Sequence, residues 1–579
     1  MKRPGNRLPS ARSPRSLLGT ALALAALLVS AAPATATASG GSPRPVVTVA
    51  QGALRGQSQG GAQEFLGVPY AAPPVGDARL RAPQPPPRWN GVRDGVRQAP
   101  ACLQFSPFGL SDPQAVSEDC LYLDVYRPRT ARPGARLPVI LWMHGGAYSQ
   151  GTGTQFGGRT MADLTQSVVV SINYRLGQLG YLALPELGRE NDPRSGSFGL
   201  MDQLAALQWT RKNIGAFGGN PANLTISGQS AGSGSVCALL AAPSAAGLFH
   251  RAVLQSGPCT LLRTPDSASA EGQARSFAAR AGCTAQAEVA ACLRAASGAA
   301  LVEAARTLPT PGPASGDGLL PVAPAQAIGS GAWNKVPVLI GSTRSEARFF
   351  VALTQPHLTA EQYTAQILAG YGAAGPEVLA RYPVADHGSP YLALSAVMTD
   401  STFACHTAWT AQLFASQVPT YVYEFDDPRS PTLAGAQVPG LDESNAHSAE
   451  LAYLHDFTMG ERPLTPVQVA LGNRMKRYWA AFARFGAPVV AGQTPWPAAG
   501  AGASAGLTLH PTATRTTTSF GADHQCAFWR TQPPDRSEAP CGCRAGSRCF
   551  CPAPVPQSVR FVHPGPEDVL PCLHRQVAQ

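Results

Sequence analysis

Gly228-Gln229-Ser230-Ala231-Gly232 is the stretch that decides the fold, and it follows the β-branched run from Asn223 to Ser227. A serine with glycine two positions before it and two after it is typical of a sharp turn from a strand into a helix. Larger side chains at the outer positions would collide with neighbouring elements. The amino terminus of the following helix favours negative charge that develops near the serine. The pattern therefore predicts that Ser230 is a nucleophile exposed at the end of a strand.

On both sides of this turn, short β-branched runs alternate with longer helical stretches. The alternation predicts βαβ units and therefore an α/β fold, with a large, mostly parallel central sheet, flanking helices and Ala-rich helical cap insertions. Besides Asn223–Ser227, the predicted elements are strands at Leu137–His144, Ser167–Ile172, Val336–Gly341 and Thr420–Phe425, and an amphipathic helix at Asp202–Phe217.

A second glycine-rich stretch, His144-Gly145-Gly146-Ala147, ends the predicted strand that begins at Leu137. A plain Gly-rich turn is one interpretation of such a stretch. Its position after a buried strand and upstream of the serine turn favours a loop whose backbone N–H groups stabilise an oxyanion, with about 3 kcal/mol from each donor. In this interpretation the side chain of His144 is structural and is not a catalytic base.

The partners of Ser230 are expected to follow it along the chain, first an acid and then a histidine. Glu346 comes just after one predicted strand, and His447 comes after the next. The residues alone leave other choices open. Asp400, Asp426, Asp427 and several other acids compete with Glu346, and His406 and His455 compete with His447.

The first 38 residues have the organisation of a secretory signal peptide. Basic residues precede the apolar run from Leu17 to Val29, and Ala36-Thr37-Ala38 provides a cleavage site of small residues. The run is shorter than the ~20 residues that a membrane span needs, and no second long apolar run follows, so no stable span is expected. The sequence predicts a secreted protein, cleaved near Ala38, that begins near Ser39.

Composition excludes several classes of protein. Of the 579 residues, 44% are hydrophobic and 14% are charged, which argues against a disordered chain and against a membrane bundle. The net charge of +10 is partly supplied by the basic leader, and the rest of the chain has no basic stripe. Nucleic acid is therefore not an expected partner, and nothing in the sequence predicts an oligomeric state.

Several longer stretches carry a family resemblance. They are Phe65-Leu66-Gly67-Val68-Pro69-Tyr70 with Pro73-Pro74-Val75-Gly76, Ser117-Glu118-Asp119-Cys120-Leu121-Tyr122-Leu123-Asp124-Val125, Asn173-Tyr174-Arg175-Leu176-Gly177, Gly199-Leu200-Met201-Asp202-Gln203 and Phe217-Gly218-Gly219-Asn220-Pro221. With them the chain resembles, from about Val46 to Trp529, the type-B carboxylesterase/lipase family, and most of all its secreted bacterial para-nitrobenzyl esterase-like members. The resemblance implies an α/β-hydrolase domain at 46–530. Beyond it, the Pro- and Cys-rich tail at 531–579 has no hydrophobic periodicity and is expected to be poorly ordered.

The resemblance also implies the site residues. The family's acid motif is similar to the stretch that ends at Glu346, and its histidine motif is similar to the stretch around His447. The family's oxyanion donors fall on Gly146, Ala147 and Ala231. The implied reaction is attack by Ser230 on the carbonyl of a small-molecule ester, with His447 as base and Glu346 holding the imidazole. No metal or organic cofactor is expected.

Thirteen cysteines in an exported chain indicate disulfides. The predicted pairs are Cys102 with Cys120, which matches the family's early loop, Cys283 with Cys292, and Cys405 with Cys526. Cys237, just past the start of the predicted helix that follows Ser230, is expected to be a buried free thiol. The C-x-C pairs of the tail depart from the spacing of structural zinc sites, so no zinc is expected.

Two further expectations concern structure. The resemblance implies buried ion pairs of Arg79 with Glu118 and of Arg175 with Asp202. The N-glycosylation sequon that begins at Asn223 lies in the predicted strand that leads to Ser230, and it is expected to carry no glycan.

The substrate is expected to be a neutral ester. Cholinesterases bind a quaternary ammonium on the face of a tryptophan in the loop that the first disulfide closes. Here the loop from Cys102 to Cys120 contains Phe105 and Phe108 but no tryptophan, and Gln229 stands where the family usually has a glutamate. The alternatives are a lipase acting on longer-chain glycerides and a catalytically inactive adhesion homologue, which the filled triad positions disfavour.

Overall fold

The computed structural model describes residues 44–104, 116–188, 196–262, 264–432, 441–457, 463–500, 502 and 505–532. The predicted leader, residues 533–579 of the predicted tail, and Phe105 and Phe108 lie outside these ranges. The described strands are β1 Val46–Val49, β2 Gly52–Arg55, β3 Gln57–Gln59, β4 Ala62–Pro69, β5 Val92–Asp94, β6 Ala101–Cys102, β7 Val116–Ser117, β8 Tyr122–Pro128, β9 Leu137–Met143, β10 Val168–Ile172, β11 Gly219–Gln229, β12 Arg251–Gln255, β13 Val338–Thr343, β14 Thr420–Phe425, β15 Gly506–Leu509 and β16 Arg515–Thr517.

The described helices flank these strands along the chain. They are α1 Arg159–Thr165, α2 Gly177–Gly180, α3 Phe198–Asn213, α4 Ala231–Ala241, α5 Ser267–Arg280, α6 Val289–Ala295, α7 Gly298–Ala305, α8 Pro324–Ser330, α9 Arg348–Thr354, α10 Ala360–Tyr371, α11 Gly375–Arg381, α12 Val384–His387, α13 Pro390–Met398, α14 Cys405–Ala415, α15 Leu451–Leu454, α16 Pro466–Phe485, α17 Phe520–Asp523 and α18 Cys526–Thr531, with a π-helix at Thr399–Ala404 between α13 and α14. Within the described ranges, no helix is both long enough and apolar enough to cross a bilayer.

The largest sheet has eleven strands in the order β16-β15-β14-β13-β12-β11-β9-β10-β8-β4-β3. Neighbouring strands from β10 to β15 in this order are parallel, whereas β3, β4, β8 and β16 pair antiparallel at the two ends. This confirms the predicted mostly parallel sheet. Because parallel strands end at the same edge, the loops after β9, β11, β13 and β14 leave the sheet on one side.

The sheet separates two hydrophobic cores. Alternate residues of β9 face opposite sides: Val139, Leu141 and Met143 belong to the core that includes α3 and α4, while Ile140 and Trp142 belong to the core that includes α1 and α16. This two-residue alternation is the period of a strand whose two faces are both covered. It explains why the central strands are apolar along their whole length.

The helix predicted at Asp202–Phe217 is displaced and is not amphipathic. It runs as α3 from Phe198 to Asn213 and is buried along most of its length. The hairpin formed by β1 and β2 covers its outer face: the N–H of Ala50 donates to Asn213 Oδ1 at 2.8 Å. The side chain of Trp209 also reaches this hairpin. A helix covered on both faces has no polar stripe, so the hydrophobic periodicity of an amphipathic helix is weak in its sequence.

Three of the disulfides join the pairs expected from the sequence. They are Cys102–Cys120, Cys283–Cys292 and Cys405–Cys526, with Cα atoms 5.0, 5.6 and 5.1 Å apart. The two expected ion pairs are also present, because Arg79 contacts Glu118 at 2.5 Å and Arg175 contacts Asp202 at 2.7 Å.

The prediction that Cys237 is a free thiol is wrong, because it forms a disulfide with Cys259. Cys237 lies in α4, which follows β11, and Cys259 lies in the turn after β12. Since β11 and β12 are parallel neighbours, the segments that follow them begin side by side. The two Cα atoms lie 5.4 Å apart, a distance that suits a disulfide.

Candidate active site

The turn between β11 and α4 holds Ser230 in a conformation that few non-glycine residues adopt, with φ 56° and ψ −124°. The flanking glycines are required by close contacts. A Cβ on Gly228 would lie 2.3 Å from the carbonyl oxygen of Gly232, and a Cβ on Gly232 would lie 2.1 Å from that of Met143. Close packing around the turn holds it in this strained conformation. Ser230 is partly exposed, whereas its neighbours in the chain are buried. This is the strand–turn–helix arrangement that the sequence predicts.

Glu346 and His447 form a buried pair. The Nδ1 atom of His447 lies 2.6 Å from Glu346 Oε2, and the two side chains are 5% and 0% exposed. The other carboxylate oxygen of Glu346 accepts from the N–H of Thr343 at 2.8 Å. The N–H of His447 donates to the carbonyl of Glu346 at 3.1 Å. The carboxylate therefore fixes both the orientation and the tautomer of the imidazole.

The other candidate acids have different partners. Asp400 contacts His524, Asp426 accepts from Asn445, and Asp427 accepts from Tyr453.

The competing histidines lie in other surroundings. His406 contacts Thr260 Oγ1 at 2.9 Å. His455 packs against Trp142, with ring centroids 4.2 Å apart. Burial lowers the pKa of His455 to about 3, so its imidazole is neutral. The sequence left several acids and histidines as possible partners of Ser230. Contacts between segments far apart in the sequence favour Glu346 and His447 among them.

The remaining ring nitrogen of His447, Nε2, lies 3.1 Å from the side-chain amide nitrogen of Gln229, the residue before Ser230. The structure thus brings the loops after β11, β13 and β14 together at one edge of the sheet. Within the described chain, no hydrogen bond joins His447 to the Ser230 hydroxyl. Such bonds often tighten only when substrate is bound.

The loop after β9 lies beside the serine. A Cβ on Gly145 would lie 3.1 Å from Ser230 Cβ. Gly146 and Ala147 have φ of +106° and +52°, so the backbone turns sharply here. The N–H groups of Gly146, Ala147 and Ala231 donate no hydrogen bond to other described loop residues. They are therefore available as the predicted oxyanion donors.

His144 supports this loop, as expected if its side chain is structural. Its ring stacks on Tyr174 at a centroid distance of 4.4 Å, and Tyr174 donates to the His144 carbonyl at 2.7 Å. Burial lowers the pKa of His144 to about 4, which keeps the imidazole neutral.

Three phenylalanine rings that the sequence analysis did not identify surround His447. The ring of Phe350 lies 5.0 Å from the imidazole, that of Phe403 lies 5.3 Å away, and that of Phe349 lies 6.4 Å away. Phe349 and Phe350 lie in α9, shortly after Glu346 in the chain. Their closeness to the candidate acid could have been recognised from the sequence. Phe403 comes from the π-helix, which no sequence pattern predicted; π-helical turns are frequent at functional sites.

A polar layer lies beneath the triad. Gln255 donates to Glu450 Oε1 at 3.2 Å and accepts from Trp479 at 3.3 Å. Burial, together with the nearby charge of Glu346, raises the pKa of Glu450 to about 7. The second oxygen of Glu450 has no partner among the described residues.

Comparison with known proteins agrees with this architecture. A model of the carboxylesterase family matches residues 43–529. The chain is 32% identical over 477 residues to para-nitrobenzyl esterase of Bacillus subtilis, covering 78% of this chain and 92% of the relative. It is 32% identical over 464 residues to cocaine esterase of Homo sapiens, covering 76% and 82%. A solved thermophilic PNB esterase aligns with a TM-score of 0.71 at 30% identity, covering 84% of this chain and 100% of that chain.

A strained serine between a central parallel strand and a helix, in a sheet of this topology, defines an α/β-hydrolase. The similar solved structures confirm that fold class. The chain belongs to the carboxylesterase family, and it is a carboxylic ester hydrolase of the serine hydrolase type.

Proposed function

We propose that this protein is a secreted carboxylesterase that hydrolyses neutral esters through an acyl-enzyme on Ser230. The observation that carries the proposal is the contact of 2.6 Å between His447 Nδ1 and Glu346 Oε2, buried beside a serine held in a strained turn. Similar proteins are named as para-nitrobenzyl, cocaine and fumonisin B1 esterases, which supports carboxylic esters as the substrate class.

In the proposed reaction, His447 Nε2 takes the hydroxyl proton of Ser230 as the oxygen attacks the ester carbonyl. Glu346 stabilises the imidazolium that forms. The N–H groups of Gly146, Ala147 and Ala231 face the developing oxyanion. His447 then gives its proton to the leaving alcohol, and a water molecule hydrolyses the acyl-enzyme by the same sequence of proton transfers.

Two observations support secretion. The leader at residues 1–38 has the three regions of a signal peptide. The described chain contains four disulfides, which persist in oxidising compartments. Amino-terminal sequencing of protein recovered from the culture medium should begin near Ser39. An intact leader on the active protein would contradict this proposal.

The test of the proposed nucleophile is covalent labelling. A fluorophosphonate probe should tag the native protein, and peptide mapping should locate the adduct on Ser230 and not on the neighbouring Ser233, whose hydroxyl donates to the Gly257 carbonyl at 2.7 Å. Heat-denatured protein is the control, since labelling requires the assembled site. An unlabelled native protein that still hydrolyses esters would contradict the proposal.

The preference for neutral esters can be measured with two substrates of the same shape. Butyrylcholine and 3,3-dimethylbutyl butyrate share an acyl group and differ in the charge of the alcohol. We expect kcat/KM for the choline ester to be no higher than that for the neutral ester, because Gln229 provides no charge. Phe350 and Phe403 also stack on each other, with ring centroids 5.5 Å apart and an interplanar angle of 4°, so one face of each ring is turned to the other ring and not to a cation. A clearly higher kcat/KM for butyrylcholine would contradict this prediction.

A further inference from the structure

The side chain of Gln104 pairs with the backbone at the end of the loop after β9. This oxyanion loop (residues 144–151) carries the predicted donors Gly146 and Ala147. Gln104 Nε2 donates to the carbonyl of Gly151 at 2.8 Å, and Gln104 Oε1 accepts from the N–H of Gly151 at 2.7 Å. Because a backbone N–H can only donate and a carbonyl can only accept, the orientation of the amide is fixed. One side chain thus satisfies both backbone groups of Gly151, as a neighbouring strand would.

Gly151 fixes the shape of the oxyanion loop, because the end of the loop packs against its beginning. A Cβ on Gly151 would lie 2.7 Å from the carbonyl oxygen of Gly145, and the φ of Gly151, +110°, favours glycine. Within the loop, the N–H groups of Ser149 and Gln150 both donate to the carbonyl of Gly146 at 3.0 Å. A shift of Gly151 would therefore be transmitted to the peptide groups of the predicted donors.

The oxyanion loop has a strained backbone. Gly146, Ala147 and Tyr148 have φ values of +106°, +52° and +59° in succession, and the last two residues have side chains that disfavour such values. Among the described residues, the N–H groups of Gly146 and Ala147 have no hydrogen-bond acceptor. The loop must therefore be held in this conformation by contacts with other segments.

Two of these contacts lie at the ends of the loop. At its beginning, Tyr174 donates to the carbonyl of the first loop residue at 2.7 Å. At its end, Gln104 holds Gly151. Gln104 Nε2 also donates to the carbonyl of Cys102 at 3.0 Å, and Cys102 is joined to Cys120 by a disulfide. The amide that holds the end of the loop is therefore itself held in place.

We propose that Gln104 is a positioning residue that holds the oxyanion loop in the conformation in which the N–H groups of Gly146 and Ala147 face the oxyanion. This inference rests on the proposed function, in which those groups stabilise the tetrahedral intermediate. Donors that are already in place stabilise the developing charge without reorganising during the reaction. Loss of their positioning weakens binding of the transition state and leaves binding of the substrate unchanged.

The first test is the hydrolysis of a neutral p-nitrophenyl ester by Gln104→Met, which removes both hydrogen bonds to Gly151 and keeps the side-chain length. We expect kcat to fall by about 10-fold to 100-fold, which is less than the loss of a whole donor can cost, and KM to stay within about twofold. The rates are expressed per active site, and the active sites are counted with the fluorophosphonate probe.

A trifluoromethyl alkyl ketone distinguishes positioning from a general loss of structure. Ser230 adds to its carbonyl, and the tetrahedral adduct carries an oxyanion that the loop must bind. The inhibition constant of the ketone should rise by the same factor as kcat/KM falls. The corresponding trifluoromethyl alcohol forms no adduct, so its inhibition constant should stay within about twofold of the wild-type value. A variant that was merely less stable would lose active protein without a change in either inhibition constant.

Gln98→Met is the matched control. The side-chain amide of Gln98 also donates to the backbone, at 2.6 Å to the carbonyl of Thr154, shortly beyond the oxyanion loop. Its kcat and both of its inhibition constants should match those of the wild-type protein. A loss in Gln98→Met as large as that in Gln104→Met would contradict a specific role for Gln104.

An unchanged inhibition constant for the ketone in Gln104→Met overturns the proposal, whether or not kcat falls. If Gln104→Met does not fold, Gln104→Glu takes its place, because a carboxylate still accepts from the N–H of Gly151 and cannot donate to its carbonyl. An unchanged inhibition constant in that variant overturns the proposal equally. Failure of the proposed function would instead appear as ester hydrolysis by Ser230→Ala, whatever the effect of the change at Gln104.

Discussion

Ser230→Ala is expected to lower kcat for a neutral ester by about 10⁶-fold and to leave the protein folded. Alanine cannot form an acyl-enzyme, and the residual rate then comes from binding and from the oxyanion donors alone. The fold should survive because the strain of the turn belongs to the backbone, at φ 56°, and alanine is no worse there than serine. The measurements are kcat and the midpoint of thermal unfolding for both proteins.

His447→Ala should cost about as much as Ser230→Ala, since triad members act as a unit, while Glu346→Ala should be milder at about 10⁴-fold. Ser235→Ala is the matched control. Ser235 is a buried serine of the same helix, α4, and its hydroxyl donates to the carbonyl of Ala231 at 3.1 Å. Its loss should leave kcat near the wild-type value. Near-normal activity in Ser230→Ala would refute the assignment.

The parts of the fold that follow from local chemistry could be predicted from the sequence. A Cβ at Gly228 or Gly232 would collide with nearby backbone oxygens, which explains why the turn around Ser230 requires glycine at those positions. This requirement is visible in five residues of sequence. The central strands could be located because they are covered on both faces and are therefore continuously apolar. The strand predicted at Val336–Gly341 begins later, at Val338, because Pro337 has no N–H to donate to the sheet.

Contacts between distant segments could not be predicted in this way. The disulfide between Cys237 and Cys259 depends on two parallel strands being neighbours, which the spacing of the cysteines does not reveal. The same holds for Phe403, which reaches His447 from a helix between α13 and α14. Glu346 and His447 were singled out only by resemblance to a family, because residue type and order alone also admitted the competing acids and histidines.

Another buried histidine, which the sequence analysis did not identify, joins the end of the described chain to the sheet. His524 Nδ1 contacts Asp400 Oδ1 at 2.5 Å, and Nε2 contacts Glu424 Oε1 at 2.9 Å. Asp400 also accepts from the hydroxyl of Tyr382 at 2.8 Å, and Glu424 contacts Arg344 at 2.8 Å. Burial alone lowers the pKa of His524, but the hydrogen bonds to the two carboxylates outweigh it and raise the pKa to about 10. His524 is therefore a buried cation near neutral pH.

The stability contributed by His524 has a defined pH dependence. Its pKa is about 10 in the folded protein and about 6.5 in an unfolded chain. A raised folded pKa contributes stability that is fully present below the unfolded value and is lost as the pH rises through the folded one. The contribution of Lys476 to stability changes with pH in the opposite direction, because burial lowers the pKa of Lys476 to about 8. A comparison of two proteins that both contain Lys476 removes its contribution.

His524→Gln is expected to lower the free energy of unfolding by about 3 kcal/mol at pH 6, because it leaves the buried carboxylates of Asp400 and Glu424 without their shared cation. The loss should be smaller at pH 9, where the wild-type protein has already lost part of the same stabilisation. Urea unfolding of both proteins at the two pH values measures the difference. His357→Gln, which changes an exposed histidine, should have no effect at either pH. A difference of equal size at pH 6 and pH 9 would show that His524 stabilises the fold by packing alone and not as a cation.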